Sequence, residues 1–250
     1  MGTPIWTQVL QQPATSTVIA LCSAIWLYLN NRGIGYSEVG LSYERVVQHR
    51  ELWRIVTSQL SHVEWLHLAF NMSSLWNLGV VEVAGLLGQS GTMYYAKTSL
   101  VLLLGSGLVC LAIYHLLIFL FRQEQYLRAT AVGYSCVVFG WMTIFAASGV
   151  STFSLFGMVE LPMSLTPFGS LILTSIIIPR ASFIGHLSGI LVGYCTAFGA
   201  FDWLTPFWFC SLLVWAAAGM LWSLVRSGHL RLPFLHVSPE GDVETGSAVR

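Results

Sequence analysis

Val132-Gly133-Tyr134-Ser135-Cys136-Val137-Val138-Phe139-Gly140-Trp141-Met142 is the stretch on which the reading of this chain turns. Upstream of it, Arg122, Gln123, Glu124, Gln125 and Arg128 are polar; downstream, the run to Ala147 is apolar. The step marks a helix that starts at a membrane boundary, with Ser135 in its first turn. First-turn N–H groups lack intrahelical acceptors and carry the positive end of the helix dipole. An oxyanion forming beside Ser135 would therefore meet ready donors. Gly133 removes a Cβ that would crowd a substrate carbonyl. Taken alone, a serine in this place is read as a cap or a packing residue. The rest of the chain decides between that reading and a nucleophile.

Composition sets the class. Of the 250 residues, 55% are hydrophobic and 9% charged, with a mean hydropathy of +0.71. No soluble domain hides that much apolar surface, so the expected fold is all-α, a polytopic transmembrane bundle. A net charge of zero and the lack of a basic patch give nucleic acid no purchase. The five cysteines, Cys22, Cys110, Cys136, Cys195 and Cys210, lie in apolar segments without a C-x-x-C pair. They read as small packing residues and not as a disulfide or zinc framework. No Lys or Arg occurs in the first fifteen residues, so the first apolar segment is expected to be retained and not cleaved as a leader.

Seven apolar runs follow, over residues 16–30, 63–83, 99–121, 132–147, 167–178, 183–200 and 207–225. The chain divides accordingly into an interfacial segment (1–15), a six-helix core (16–200), a seventh helix (201–225) and a polar tail (226–250) read as disordered. The connection 31–61 mixes arginines and glutamates with aromatics, as a segment lying on the bilayer surface does. Its length suits a role in shaping the entrance to a site. The fourth and fifth runs are short for a bilayer, which needs about 20 residues. Such spans belong inside surrounding protein or in thinned membrane.

Three of these helices start on the same side. His186 stands near the start of the sixth, in Gly185-His186-Leu187-Ser188-Gly189-Ile190-Leu191-Val192-Gly193, whose glycines recur every fourth residue and make a nearly bare face. An ionisable group at that depth is functional by default, and bordering the glycine face puts His186 within reach of Ser135. On the second helix His67 and Asn71 are four apart, hence on one face, and both can donate a side-chain hydrogen bond. Two neutral donors aimed at one point suit an oxyanion hole. His62 lies nearer the surface.

This constellation resembles the rhomboid family of intramembrane serine proteases. The resemblance rests on the Gly133-Tyr134-Ser135 turn, the His186-x2-Gly189-x3-Gly193 helix, the His62-x4-His67-Leu68-x2-Asn71-Met72 helix and the Trp53-Arg54 pair, in family order from Trp53 to Tyr194. Outside the motifs the chain is most similar to the plant rhomboid-like branch. The resemblance implies a six-helix core with one added helix, no metal and no cofactor. It makes Ser135 the nucleophile and His186 the general base, with His67, Asn71 and the turn at Gly133 and Ser135 serving the oxyanion. Phe139 matches an aromatic position that packs on the imidazole, and Glu82 a structural carboxylate. The implied partners are membrane-spanning protein substrates within the lipid bilayer. Cys136 departs from the glycine that commonly follows the nucleophile.

Rival chemistries lack their residues. There is no H-E-x-x-H, the aspartates are Asp202 and Asp242 alone, and the sole lysine, Lys97, is read into a loop. A non-proteolytic relative that binds client helices is the alternative; inactive relatives typically lose the serine or the histidine, and both are here. A transporter would call for an internal repeat, and none is visible. Nine arginines fall on the side of Ser135, which the positive-inside rule assigns to the cytosol. Family members of the secretory pathway usually open outward, so the compartment stays open.

Overall fold

The computed structural model describes residues 4–149, 152–155, 159–162, 165–178 and 181–230. The break expected at Pro179-Arg180 and the tail beyond residue 230 lie outside the described residues. The chain begins with α1 (Ile5–Gln11) and α2 (Pro13–Arg32) and continues through α3 (Tyr36–Val39), a π-helical turn (Glu44–Gln48) and α4 (Arg54–Leu60). Next come α5 (Trp65–Leu78), α6 (Val80–Ala84) and α7 (Thr92–Phe119). After a 3₁₀ turn (Glu124–Leu127), α8 spans Ser135–Ala147, α9 Thr166–Ile177, α10 Phe183–Ala197 and α11 Pro206–Arg226. An antiparallel hairpin of β1 (Thr152–Leu155) and β2 (Val159–Pro162), not expected from the sequence, occupies part of the α8–α9 connection.

Helices α2, α7 and α11 are long and apolar enough to cross a membrane. Proline opens α2 and α11, where its missing N–H costs nothing. Gly79 keeps helical torsions between α5 and α6, so the two run on as one path across the bundle. Helix α8 has 13 residues and α9 has 12; at 1.5 Å per residue neither exceeds about 20 Å. Three helices of spanning length, with the shorter apolar helices α8, α9 and α10 beside them, make this an integral, multi-pass membrane protein.

The core forms where α7, α8 and α10 meet. A Cβ added at Gly189 would run into the backbone of Cys136, and one at Gly193 would lie 2.7 Å from the carbonyl of Gly140 and 2.8 Å from Cβ of Thr143. The backbones of α8 and α10 therefore touch. Gly185, the third of the series, instead makes room for its own cap: its nearest neighbour is Oγ of Ser182, which accepts the Gly185 N–H at 3.1 Å. On the other flank Trp141 stacks on Tyr95, centroids 4.8 Å apart, and donates Nε1–H to Ser99.

Glu82 is 2% exposed and accepts three hydrogen bonds, from the N–H groups of Ala14 and Thr15 and from Oγ1 of Thr15. One carboxylate on α6 thus satisfies the orphan donors at the start of α2 and faces the positive end of its dipole.

The connection 31–61 does not lie loosely on a surface. Tyr43, Val46, Trp53 and Arg54 are buried in it. The Arg54 guanidinium, 1% exposed, pairs with Glu51, donates to the carbonyl of Gly40 and lies 4.7 Å from the Trp53 ring. Charge is tolerated there because every neighbour answers it. Ser223 of α11 accepts the Trp53 N–H and donates to the Arg50 carbonyl, fastening the last helix to this segment. Lys97, expected in a loop, sits in the second turn of α7, because that helix begins earlier than the apolar run that signals it.

Candidate active site

Ser135 is the first residue of α8, and the chain reaches it through a tightly held turn. Leu41 and Ala131 exchange backbone hydrogen bonds, which pins the approach to the connection 31–61. Gly133, at φ +106, then donates its N–H to the Ser58 carbonyl at 3.0 Å. The next N–H, that of Tyr134, points at Nε2 of His62 at 3.3 Å. Among the described residues, the N–H groups of Ser135 and Cys136 have no acceptor. They are the orphan donors that every helix start leaves, and here they lie beside a hydroxyl.

That hydroxyl is engaged. His186, 3% exposed in the first turn of α10, places Nε2 at 2.8 Å from Oγ of Ser135. Its Nδ1 has no hydrogen-bond partner among the described residues, so no carboxylate orients the ring. Phe139, one turn into α8, does so by stacking on it with centroids 4.3 Å apart. Contact between α8 and α10 at Gly189 sets the distance between the two helices and hence between the two side chains.

His67 and Asn71 face the same place from α5. A Cβ on Gly133 would sit 2.6 Å from Cε1 of His67, so the imidazole lies directly over the turn. Asn71 spends one amide N–H on the carbonyl of His67, at 2.9 Å, and keeps the other. Both side chains, with Ser135 and His186, line a cavity of about 300 Å³. Phe70 and Ser74 of α5 form one wall of it and Ser170, Leu173 and Thr174 of α9 another.

Gly133, expected from the sequence to spare a substrate carbonyl a crowding Cβ, lies under the His67 imidazole. Its N–H is used by Ser58, so the residue contributes space and a left-handed torsion, not a donor. His62 and Ser58, which hold the turn, escaped sequence reasoning as positioning groups; the backbone carbonyl of Ser58 leaves no sequence signal at all. Cys136 turns away from the cavity wall shared by His67 and Asn71 and sets Sγ at 2.7 Å from Oε1 of Gln59. Gln59 in turn donates to Leu103 of α7, so the departure from glycine ties the turn to two other helices.

A nucleophile in contact with a base, beside unpaired backbone donors and two neutral side-chain donors, can carry out acyl transfer. Comparison with known proteins agrees with the motifs. The model of the rhomboid domain matches residues 49–203. Rhomboid-like protein 15 of Arabidopsis thaliana is 29% identical over 201 residues, 77% of this chain and 48% of that protein. Human rhomboid-related protein 4 is 29% identical over 184 residues, 72% of this chain and 55% of that protein. Rhomboid-type serine protease 2 of Yarrowia lipolytica is 31% identical over 152 residues, 61% of this chain and 48% of that protein. The chain spans about half the length of the curated relatives it matches. With the domain model covering most of the chain and both helix motifs meeting at one serine, the chain belongs to the rhomboid family.

Proposed function

We propose that this chain is an intramembrane serine endopeptidase that hydrolyses transmembrane segments of other membrane proteins. The observation that carries the reading is the 2.8 Å contact between Oγ of Ser135 and Nε2 of His186 beside the unpaired N–H of Ser135. Ser135 attacks the scissile carbonyl while His186 takes its proton; the tetrahedral oxyanion is held by the Ser135 N–H, His67 and Asn71. His186 then protonates the leaving amine, and water, activated by the same imidazole, releases the acyl group. Trp53, Arg54, Glu82, Gly189 and Gly193 keep the helices in place for this step.

A substrate span reaches the serine between α5 and α9, whose side chains wall the cavity on opposite sides. A helix hides its carbonyls in its own hydrogen bonds, so cleavage favours spans that unwind near the membrane face. The test is cleavage of a transmembrane substrate by the purified protein in liposomes, with Ser135→Ala and His186→Ala as controls. Product from the wild type alone is the expected result. Failure of wild type to cleave, together with failure of a serine-directed phosphonate to label Ser135, would sink the protease and leave client-helix binding as the function.

A further inference from the structure

A second sizeable cavity lies at the end of the bundle away from Ser135. It measures about 380 Å³, within the range that ligand pockets occupy. Its walls are the opening turns of α7 (Tyr94, Lys97, Thr98), the end of α10 with the turn beyond it (Thr196, Phe198, Asp202), and the loop before α7. Lys97 is the sole lysine of the chain. Lys97 and Asp202 do not pair with each other, and among the described residues neither side chain makes a hydrogen bond or ion pair. Asp202 is exposed and Lys97 half-buried, both open to the cavity, whereas buried charges such as Arg54 and Glu82 are answered by their neighbours. A cation and an anion left open to one cavity are complementary to a ligand that carries both signs.

The surroundings say where that ligand comes from. Phe198 lines the cavity and is 80% exposed. Trp203, Phe207 and Trp208 follow it and are also exposed. Aromatic residues gathered where spans end mark the bilayer interface, so the cavity opens at head-group depth. The geometry points to a binding site for the head group of an amine-bearing phospholipid, its phosphate on Lys97 and its ammonium on Asp202. The side-chain amide of Gln89, which also lines the cavity, supplies a further donor for the phosphate oxygens. A quaternary ammonium has no N–H to give Asp202, and an anionic head group without an amine would face that carboxylate unfavourably.

Native mass spectrometry tests this with the full chain and an equimolar mixture of phosphatidylethanolamine, phosphatidylcholine and phosphatidylglycerol bearing the same acyl chains. Charge-assisted hydrogen bonds of this kind predict retention of phosphatidylethanolamine about tenfold above the other two. Asp202→Asn should erase its advantage over phosphatidylglycerol, and Lys97→Gln should weaken both. A matching thermal shift, with only phosphatidylethanolamine raising the midpoint of the wild type, gives a readout independent of the variants. Equal retention of the three lipids, or a preference that survives both substitutions, overturns the site. Displacement of the lipid by an equal concentration of soluble phosphoethanolamine would keep the head-group chemistry and overturn the bilayer as its source.

Discussion

The phenyl ring of Phe139 lies nearly flat against the imidazole of His186, with planes 17° from parallel. With Nδ1 of His186 unpartnered among the described residues, this stacking is what holds Nε2 on the Ser135 hydroxyl. In the proposed reaction Phe139 is thus a positioning residue. Phe139→Leu should lower kcat about tenfold with little change in KM, because a freely rotating base loses its near-attack geometry. Phe139→Tyr, which keeps the ring, should retain most of the rate. Equal rates for the leucine and wild-type proteins in a liposome cleavage assay would remove the role.

As the proposed base, His186 works only when neutral. Protonated His186 cannot take the Ser135 proton, so cleavage should rise with pH through the titration of this histidine and disappear reversibly below it. Initial rates in liposomes from about pH 4 to about pH 8 check this, with folding followed in parallel by intrinsic fluorescence. A flat profile over an intact fold would exclude His186 as the base.

Helix contact can be probed one glycine at a time. Gly189→Ala drives a methyl group into the backbone of Cys136, and overpacking of this kind costs about 1–3 kcal/mol. Gly185→Ala meets the Ser182 side chain at 3.2 Å and Ala131 at ordinary contact distance, so a small shift of the cap accommodates it. Thermal unfolding in detergent should place the first variant well below the second, and cleavage should fall in the same order. Equal midpoints would mean that α8 and α10 do not rely on backbone contact.

Glu82 anchors the start of α2 through three accepted hydrogen bonds. Glu82→Gln keeps the shape but loses the charge facing the helix dipole and turns an amide N–H toward a donor. We expect a loss of about 1–3 kcal/mol, and faster amide exchange at Ala14 and Thr15. Unchanged exchange at both residues would show that α2 holds its first turn without the carboxylate.

Much of this protein is readable from residue order. The apolar runs place the spans to within a turn or two at most ends, because a membrane leaves a backbone no option but helix or closed barrel. The misplaced ends have local causes: α2 gains a turn at Pro13, and α7 starts at Thr92 because polar residues can continue a helix beyond the bilayer. Ser135, His186, His67 and Asn71 were each visible as polar groups at helix starts, where an apolar sequence makes any polar group conspicuous.

Residue order by itself determined the class of fold and the identity of the polar groups that meet. It could not determine how they meet, since a hydrogen bond between α8 and α10 depends on how closely two backbones approach. Tertiary structure decided that Gly133 spends its N–H on Ser58, that Cys136 turns to Gln59, and that Arg54 is buried with Glu51. It also left Lys97 and Asp202 facing one cavity, 105 positions apart in the chain. Except for Glu51 and Arg54, three positions apart, each of these brings together residues distant in sequence, and their neighbours are chosen by packing, which has no local pattern to read.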